Sequence, residues 1–554
     1  MNRIFDYIVV GAGSAGCVLA DRLSKDAANT VCLIEAGPAD TSPLIHMPIG
    51  VAGLIGNPKV NWCFQTEPEP QLGARSLYWP RGKTLGGSSS INAMVYMRGH
   101  AKDYDDWASE VADPSWSYQS LLPLFMEHED NQRGGDSYHG VGGPLTVSDI
   151  RDANPISSVF IEAGREIGIP VNRDFNGAVQ EGVGMHQVTQ RNGRRWSSAR
   201  AFLESARLRS NLTVMTGARV TRVILKDKRA VGVELMKDGA LSVIECTHEV
   251  VLSGGAVNSP HLLLLSGIGP REEIERQGIP VQHVLPGVGR NLQDHLDYTV
   301  MIRDRSRRSI GLALSFIPRA IVGFFRYLFQ KRGFLASNVA EAGGFAKLGP
   351  NSERPEVQFH FLPTFLKDHG RKFLLGYGCT LHVCQLRPKS RGYIGLKSAD
   401  PMADPLILAN YLDHPDDAKE LIDAVKLTRR ILAAPAFKSI HGGEVEPGAH
   451  VQTDAEILND IRKRAETIYH PVGTCKMGRD QMAVVDHELR VIGIEGLRVA
   501  DASIMPTLIG GNTNAPAMVI GERAARMMLA SKKAPAAEAF SVKASRAVHQ
   551  TVSI

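Results

Sequence analysis

The sequence has few cysteines, and they show no pairing pattern. They form neither a CxxC pair nor the spacing of a zinc site, and the seven lie at positions 17, 32, 63, 246, 379, 384 and 475. An odd, scattered set of this kind favours a reducing compartment. We predict no metal site.

Long apolar runs and a dominant charge are also absent. No stretch reaches the apolar length of a membrane span, and the apolar run in the opening MNRIFDYIVVGAG is too short for a signal peptide. The formal charge of +5 is small for 554 residues, and no basic stripe with interleaved aromatic residues argues for nucleic-acid binding. We expect a cytoplasmic protein of two to four domains that acts on small molecules, with a flexible tail at residues 534–554.

What the sequence does have, at its start, is the pattern of a strand, a glycine turn and a helix. The β-prone run FDYIVV is followed at once by GAGSAG and then by a helical stretch. Gly11 is expected to make the tight turn, Gly13 to let a pyrophosphate approach the backbone, and Gly16 to let helix and strand pack closely. The pattern therefore predicts a dinucleotide site.

A second predicted strand, VCLIE, ends on Glu35, 19 residues after Gly16. A carboxylate at this place can accept hydrogen bonds from the ribose hydroxyls of an adenosine. The strand, the helix and the acid together make a purely structural glycine turn the less favoured interpretation. They do not separate FAD from NAD.

Four further motifs follow along the chain. They are GKTLGGSSSINAMVYMRGHAKDYDDW from Gly82, GAVNSPHLLLLSGIG over 255–269, YHPVGTCKMG over 469–478, and VADAS from Val499 continuing to GGNTNAP, which ends at Pro516. These motifs resemble those of the glucose-methanol-choline (GMC) oxidoreductases. The likeness covers residues 5 to about 530. Within the family, VNWCFQT, WPRGKT and SFIPR resemble bacterial choline dehydrogenases and, more so, the membrane-associated alcohol dehydrogenases of medium-chain alkane degradation.

The resemblance implies the GMC fold, with an α/β Rossmann-like FAD domain and an α+β substrate domain that has an antiparallel sheet. The FAD domain is expected to comprise residues 1–153, 194–305 and 466–533, and the substrate domain residues 154–193 and 306–465. Transferred residue by residue, the family's FAD contacts fall on Ser14, Ala15, Glu35, Ser88, Asn92, Ala93, Val95, Val220, Asp501 and Ala502. Some relatives attach the flavin through a histidine where this chain has Ile91, so the resemblance implies non-covalent FAD.

The resemblance also selects the catalytic residues. Alcohol oxidation removes a hydroxyl proton and a hydride from one substrate, and an imidazole titrates near ~6.5, close enough to neutrality to accept that proton. His470 is therefore expected to be the base, with hydride passing to flavin N5. Asn514 matches the family position that holds the substrate oxygen. On their own, a histidine before a proline is usually a turn residue, and such an asparagine a helix cap.

Several functions remain open from the sequence. The leading expectation is oxidation of primary, uncharged aliphatic alcohols to aldehydes, with electrons passed to a quinone or another carrier. The alternatives are an alcohol oxidase that uses O2, a choline dehydrogenase, and a lyase resembling the hydroxynitrile lyases of the family. Glu341 aligns with an acid of choline-oxidising relatives, but its neighbours Val339 and Ala340 offer no aromatic cage for an ammonium group.

The segment SIGLALSFIPRAIVGFFRYLFQKRGFL, residues 309–335, is apolar and aromatic with interspersed cations. Pro318 interrupts it, so it cannot span a bilayer. We expect a helix packed in the core of the substrate domain, with its cations reaching solvent. The second interpretation is peripheral contact with the inner face of the cell membrane, where the segment would guide a lipophilic alcohol or quinone to the site.

Overall fold

A computed structural model describes residues 3–533, so the predicted tail lies outside the described residues. The first of its two large sheets, which we call the nucleotide sheet, is mixed. Across the sheet its strands are Leu212–Met215, Val31–Ile34, Arg3–Val10, Ala240–Leu252, Arg229–Lys237 and Ala218–Lys226, with Leu497–Val499 also paired to Ala240–Leu252. The first four and Leu497–Val499 pair in parallel. Their carboxyl ends meet at the glycine turn, where such sheets bind ligands.

The turn between the first strand and the helix Ser14–Leu23 is shaped by its glycines. Gly11 has a φ of +101°, a backbone conformation that side chains disfavour. A Cβ on Gly16 would lie 1.9 Å from the Gly11 carbonyl oxygen, so the helix can approach the turn only because residue 16 has no side chain. This local arrangement is the one that the sequence predicted.

The second large sheet, which we call the cover sheet, is antiparallel throughout, as the fold prediction required. Across the sheet its strands are His441–Glu446, Leu296–Asp304, Gly378–Gln385, Val357–Leu362, Ala342–Ala346 and Gly182–Met185, with Glu466–Thr467 also paired to Leu296–Asp304. Leu296–Asp304 pairs with Gly378–Gln385, so the predicted domain boundary at 305 places this strand on the wrong side.

Helices cover one face of the cover sheet. Pro155–Glu166, Pro415–Leu432 and Asp454–Arg464 bury Phe160, Val425 and Ile461 against its apolar side chains. The other face carries Gln358 and His360, alternate residues of one strand. The remaining longer helices are Ala101–Val111, Tyr118–His128, Gly255–Leu265, Ile317–Gln330 and Asn514–Lys533.

The helix Ile317–Gln330 does not pack in the core, so that expectation was wrong. Gly323 is its one fully buried residue, and it packs on the ring of Phe334. Its large aliphatic side chains and its phenylalanines lie at the surface. No helix within residues 3–533 has both the length and the apolar character needed to cross a membrane.

Candidate active site

A cavity of about 550 Å³ runs from the glycine turn to the cover sheet. Residues from the whole length of the chain line it, from Val10 to Ala517. It joins the predicted dinucleotide site at one end to His470 and Asn512 at the other. One continuous space can therefore hold an extended cofactor with a reacting molecule beside it.

Two glycine turns form the wall of the cavity at the nucleotide end. A Cβ on Gly13 would have no neighbour closer than 3.8 Å, so the backbone there is open to a ligand. Gly87 has a φ of +52°, and a Cβ on it would lie 2.7 Å from the Cα of Gly13. The two turns therefore touch through backbone, which leaves a flat cradle of amides beside the start of the first helix.

Glu35 lies buried at the end of its strand, and it lines the cavity. Its two carboxylate oxygens accept hydrogen bonds from the backbone N–H groups of Ala12 (3.0 Å) and Gly37 (2.8 Å). Burial raises the pKa of Glu35 to about 7. Each oxygen retains a lone pair that a ribose hydroxyl can use.

The structure brings nearly all of the predicted cofactor residues to this cavity. Those that line it are Gly11, Gly13, Ser14, Ala15, Glu35, Ser88, Asn92, Ala93, Val95, Val220, Asp501 and Ala502. Gly16 does not line it, in keeping with its packing position behind the turn. Asp501 accepts hydrogen bonds from Ser259 Oγ (2.6 Å) and the Gly255 amide (2.8 Å), so it also joins two segments of the cradle.

His470 sits at the far end of the cavity in a chain of hydrogen bonds. His295 Nε2 lies 3.0 Å from the carbonyl oxygen of Leu386, which can only accept, so this nitrogen carries the hydrogen. In a neutral His295 the other nitrogen, Nδ1, is then an acceptor, and it lies 2.9 Å from His470 Nδ1. His470 therefore donates through Nδ1, which leaves its Nε2 unprotonated, as a hydrogen-bond acceptor. This tautomer is inferred from the network.

Burial also keeps His470 neutral. It lowers the pKa of His470 well below its usual value, and the neighbouring His295 and His360 add to the effect. The pKa of His295 is lowered to about 3, again chiefly by burial. The cavity thus contains an uncharged imidazole whose Nε2 can accept a proton at neutral pH.

The asparagine beside His470 is Asn512, not the predicted Asn514. Asn512 Nδ2 lies 3.0 Å from His470 Nε2, and its Oδ1 accepts a hydrogen bond from Gln358 Nε2 at 3.0 Å. Asn514 lines the same cavity, but its Oδ1 accepts from Ser14 Oγ at 2.7 Å. The cause is the start of the last helix at Asn514, which directs that side chain to the glycine turn.

The backbone of His470 is fixed by Asp294, which the sequence reasoning missed. Asp294 Oδ1 accepts from the His470 amide at 2.8 Å, and Oδ2 accepts from the hydroxyls of Thr467 and Tyr411. Burial raises the pKa of Asp294 to about 6. Asp294 and His295 are adjacent, so the one signal available was an Asp-His pair outside every quoted motif.

A second histidine of the cover sheet borders the cavity. Neither ring nitrogen of His360 has a hydrogen-bond partner within residues 3–533, although the side chain is buried. Its neighbour across the sheet, His382, lines the cavity as well. The imidazoles of these two histidines offer ring nitrogens at the end of the cavity beside His470, where a small molecule or a water can form hydrogen bonds with them.

A loop closes one side of the cavity over Tyr469. His369 Nδ1 lies 2.6 Å from the Tyr469 hydroxyl, and its Nε2 lies 3.1 Å from Glu466. Asp368, His369 and Glu466 form the one set in the described part of the chain that is arranged as metal ligands. Both nitrogens of His369 already have protein partners, so we interpret these contacts as hydrogen bonds that hold the loop against the segment that contains His470.

Comparison with known families decides the identity of this arrangement. The GMC oxidoreductase family matches the chain twice, over residues 5–297 and over residues 388–521. The chain belongs to the GMC oxidoreductase family. Members bind FAD, and the open backbone at Gly13, the carboxylate of Glu35 and the length of the cavity fit that cofactor. The predictions of fold, enzyme class and cofactor are thereby confirmed.

The relatives of this oxidoreductase include dehydrogenases of alcohols. The chain is 56% identical over 529 residues to an alcohol dehydrogenase [acceptor] of Pseudomonas putida, which spans 95% of this chain and 96% of the relative. It is 44% identical over 528 residues to an oxygen-dependent choline dehydrogenase of Brucella anthropi, with 95% of each covered. The two closer resemblances expected within the family are thus both found.

Solved structures of oxidases share the fold. A pyridoxine 4-oxidase from Mesorbium loti superposes with a TM-score of 0.85 at 32% identity, over 94% of this chain and 98% of that one. A formate oxidase superposes with a TM-score of 0.89 at 26% identity, over 96% and 99%. The GMC architecture thus extends over nearly the whole oxidoreductase.

Proposed function

We propose that this oxidoreductase oxidises uncharged primary aliphatic alcohols to aldehydes, with His470 as the base and a quinone or another carrier as the electron acceptor. The observation that carries the proposal is the unprotonated Nε2 of His470, which faces Asn512 in a cavity that continues to the dinucleotide turn. The name of the P. putida relative, an alcohol dehydrogenase with an acceptor, supports the same class of reaction.

The base acts on the hydroxyl group of the alcohol, because a neutral alcohol is a poor hydride donor. Nε2 of His470 accepts the hydroxyl proton, while its Nδ1–H remains hydrogen-bonded to His295. The amide of Asn512 then donates to the substrate oxygen, where negative charge develops. We therefore assign to Asn512, and not to Asn514, the role of holding the substrate oxygen. FAD, when bound, supplies the acceptor for the hydride.

The charges around the cavity favour an uncharged substrate over choline. Among the described residues that line the cavity, Glu35 and Asp501 are the only acids, and both belong to the nucleotide end. Glu341 is buried elsewhere, where its oxygens accept from Ser337 Oγ, Ser157 Oγ and the Asn154 amide. Within residues 3–533, no carboxylate that could face a quaternary ammonium group lines the cavity at the His470 end, whereas an alkyl chain would find Leu362 and Phe365.

An oxidase that uses O2 is the alternative acceptor chemistry, supported by the names of the two solved relatives and of the oxygen-dependent choline dehydrogenase. Those relatives are 26%, 32% and 44% identical, against 56% for the P. putida dehydrogenase, so we favour a carrier. Purified enzyme is assayed with 1-octanol in air, with and without a soluble quinone. Turnover that needs the quinone supports the dehydrogenase, and one peroxide per aldehyde without it establishes the oxidase.

The test of the base is anaerobic flavin reduction by 1-octanol in His470→Ala. We expect FAD to be retained and the rate constant for reduction to fall by at least ~10²-fold, the usual contribution of a general base. His283→Ala, which changes a histidine away from the cavity, is the matched control and reduces normally. Reduction in His470→Ala at the rate of the control would refute the assignment.

A further inference from the structure

An exposed apolar surface surrounds one mouth of the cavity. We call it the apolar face, and its members are Leu312, Leu314, Ile317, Ile321, Val322, Phe324, Phe325, Leu328, Phe329, Phe373 and Leu375. These account for 11 of the 23 large apolar side chains exposed within the described part of the chain. Phe329 and Phe373 are each 78% exposed. Contact between water and a contiguous apolar patch of this size is unfavourable, and such patches usually mark interaction sites.

The two segments of the apolar face are joined through backbone. Leu312 and Gly376 exchange hydrogen bonds of 3.0 and 2.9 Å, and Ser315 Oγ lies 2.9 Å from the Tyr377 hydroxyl. The start of the helix Ile317–Gln330 is therefore fixed beside the loop that carries Phe373. The helix and the loop present one surface rather than two separate patches.

The cavity opens on this surface. Leu312 and Phe373 belong to the apolar face and also line the cavity, together with Leu366 and Leu374. A molecule that leaves His470 in this direction passes from apolar lining to apolar surface. The mouth is therefore lined by apolar side chains, which favour contact with lipid over contact with water.

The rim of the apolar face is cationic. Residues 305–333 contain seven Lys and Arg and no Asp or Glu. Arg326 and Arg332 pair with Asp152, while the other five, Arg305, Arg307, Arg308, Arg319 and Lys331, form no ion pair within residues 3–533. Two copies of the chain meeting through this face would bring like charges together, whereas an anionic surface would neutralise them.

We propose that the apolar face docks on a bilayer that contains anionic phospholipid, and that the cavity exchanges lipophilic alcohol with that bilayer through the mouth at Leu312 and Phe373. The helix would lie in the headgroup region with its phenylalanines in the acyl boundary and its cations on the phosphates. The docking stands on the surface alone, and the exchange of alcohol rests on the proposed function.

Docking is tested by sedimentation of the FAD-loaded enzyme with vesicles of phosphatidylcholine and phosphatidylglycerol. The enzyme is expected to sediment with these vesicles and to be released by added salt. Phe324→Asp with Phe329→Asp should weaken binding at least about tenfold, from the lost apolar burial and the added charge. Leu208→Asp, at an equally exposed leucine outside the face, is the matched control and binds normally.

A second variant tests the contribution of the cationic side chains without changing a residue of the helix. Arg307→Glu with Arg308→Glu should weaken binding to these vesicles but not change the flavin content or the melting temperature. The proposal is overturned if the enzyme stays in solution with the vesicles, or if Leu208→Asp loses as much binding as the double phenylalanine variant. It is also overturned if the enzyme is a dimer that the phenylalanine variant makes monomeric.

Exchange with the bilayer is tested by chain length. In vesicles loaded with 1-dodecanol, the double phenylalanine variant should have at least about a tenfold lower kcat/KM, because its encounter with the lipid is weaker. With 1-butanol in vesicle-free buffer its activity should equal that of the unmodified enzyme, since neither residue lines the cavity. Equal kcat/KM for dodecanol in both proteins overturns the exchange, and no reaction with either alcohol overturns the proposed function instead.

Discussion

At the scale of single residues, the site depends on His470 and Asn512, whose orientations are fixed by neighbouring side chains that take no direct part in the proposed reaction. His295 fixes the tautomer of His470, and Asp294 fixes its backbone. Gln358 fixes the amide of Asn512 with its donor towards His470. Each polar partner has one orientation that satisfies the rest, so the basic nitrogen and the amide donor are set before substrate arrives.

The two asparagines of the last motif are expected to differ in function. Asn512→Ala removes the amide that faces His470, and we expect kcat to fall by about 10²-fold, as when one donor to a developing oxyanion is lost. Asn514→Ala removes a hydrogen bond with Ser14 worth about 1 kcal/mol, so it should change FAD affinity more than the rate of hydride transfer. Steady-state kinetics and flavin content separate the two, and equal losses of kcat would contradict the assignment.

The pH dependence of flavin reduction follows from the direction of the pKa shift of His470. In the proposed reaction the neutral imidazole is the base, and burial lowers the pKa of His470 well below 6.5. Lowering the pH therefore inactivates the enzyme only when it reaches this depressed pKa. We expect a constant reduction rate from about pH 6.5 to 8 and a decline on the acid side of that range. An inflection at or above pH 6.5 in a stopped-flow series would show that a different group, or a less buried histidine, is titrating.

At the scale of elements, local patterns were predictable and long-range pairings were not. The strand, glycine turn and helix of residues 3–23 follow from spacings within the turn itself. The sequence of the strand Leu296–Asp304 is compatible with either sheet. Its partner, Gly378–Gln385, lies about 80 residues further along the chain, so no nearby residue indicates the pairing. A helix whose residues are mostly apolar is normally buried, which is why Ile317–Gln330 was expected in the core with its few cations reaching solvent.

The candidate site shows the same division. The resemblance and the glycine turn predicted His470 and thirteen cofactor positions, and twelve of those thirteen line one cavity with His470. The motifs did not separate Asn512 from Asn514, since the direction of each side chain depends on where the helix begins. Asp294 and His295 act through contacts with residues about 175 positions away, and no spacing within the sequence encodes such contacts.

The packing of the first turn gives a prediction for this element. Gly16→Ala places a methyl group 1.9 Å from the Gly11 carbonyl oxygen, so helix and turn must separate. We expect a loss of about 1–3 kcal/mol in unfolding free energy and weaker retention of FAD. Gly56→Ala is the matched control, because its methyl group would meet nothing within 4 Å. Thermal denaturation that gives the same melting temperature for both variants would argue against close packing at Gly16.

At the scale of the whole molecule, the cofactor cavity joins segments that are distant in the chain. The strands Arg3–Val10 and Leu497–Val499 both lie against Ala240–Leu252 in the nucleotide sheet. The glycine turns at 13 and 87 touch, and Asn514 reaches back to Ser14. A ligand in this cavity contacts all of these segments at once, so its binding is coupled to the stability of the entire fold.

Removal of FAD is therefore expected to lower the melting temperature of the whole enzyme in a single transition. Free FAD at 100 times its Kd should restore about 2.7 kcal/mol of stability. Because Ile91 offers no nucleophile at the place where some relatives attach the flavin, acid precipitation should release all of the flavin into the supernatant. Differential scanning calorimetry and the absorbance of the supernatant measure these outcomes, and flavin retained in the pellet would contradict non-covalent binding.

The first and last strands of the nucleotide sheet lie on either side of Ala240–Leu252, and this arrangement bears on when the enzyme can acquire its cofactor. During synthesis, residues 497–514 leave the ribosome long after the glycine turn, and until they dock Ser14 lacks its acceptor Asn514 and Ser259 lacks its acceptor Asp501. A nascent polypeptide that lacks these residues is therefore expected to hold the flavin weakly. We expect loading to follow their synthesis, when the open protein can close around a vitamin-derived molecule taken from the surrounding pool.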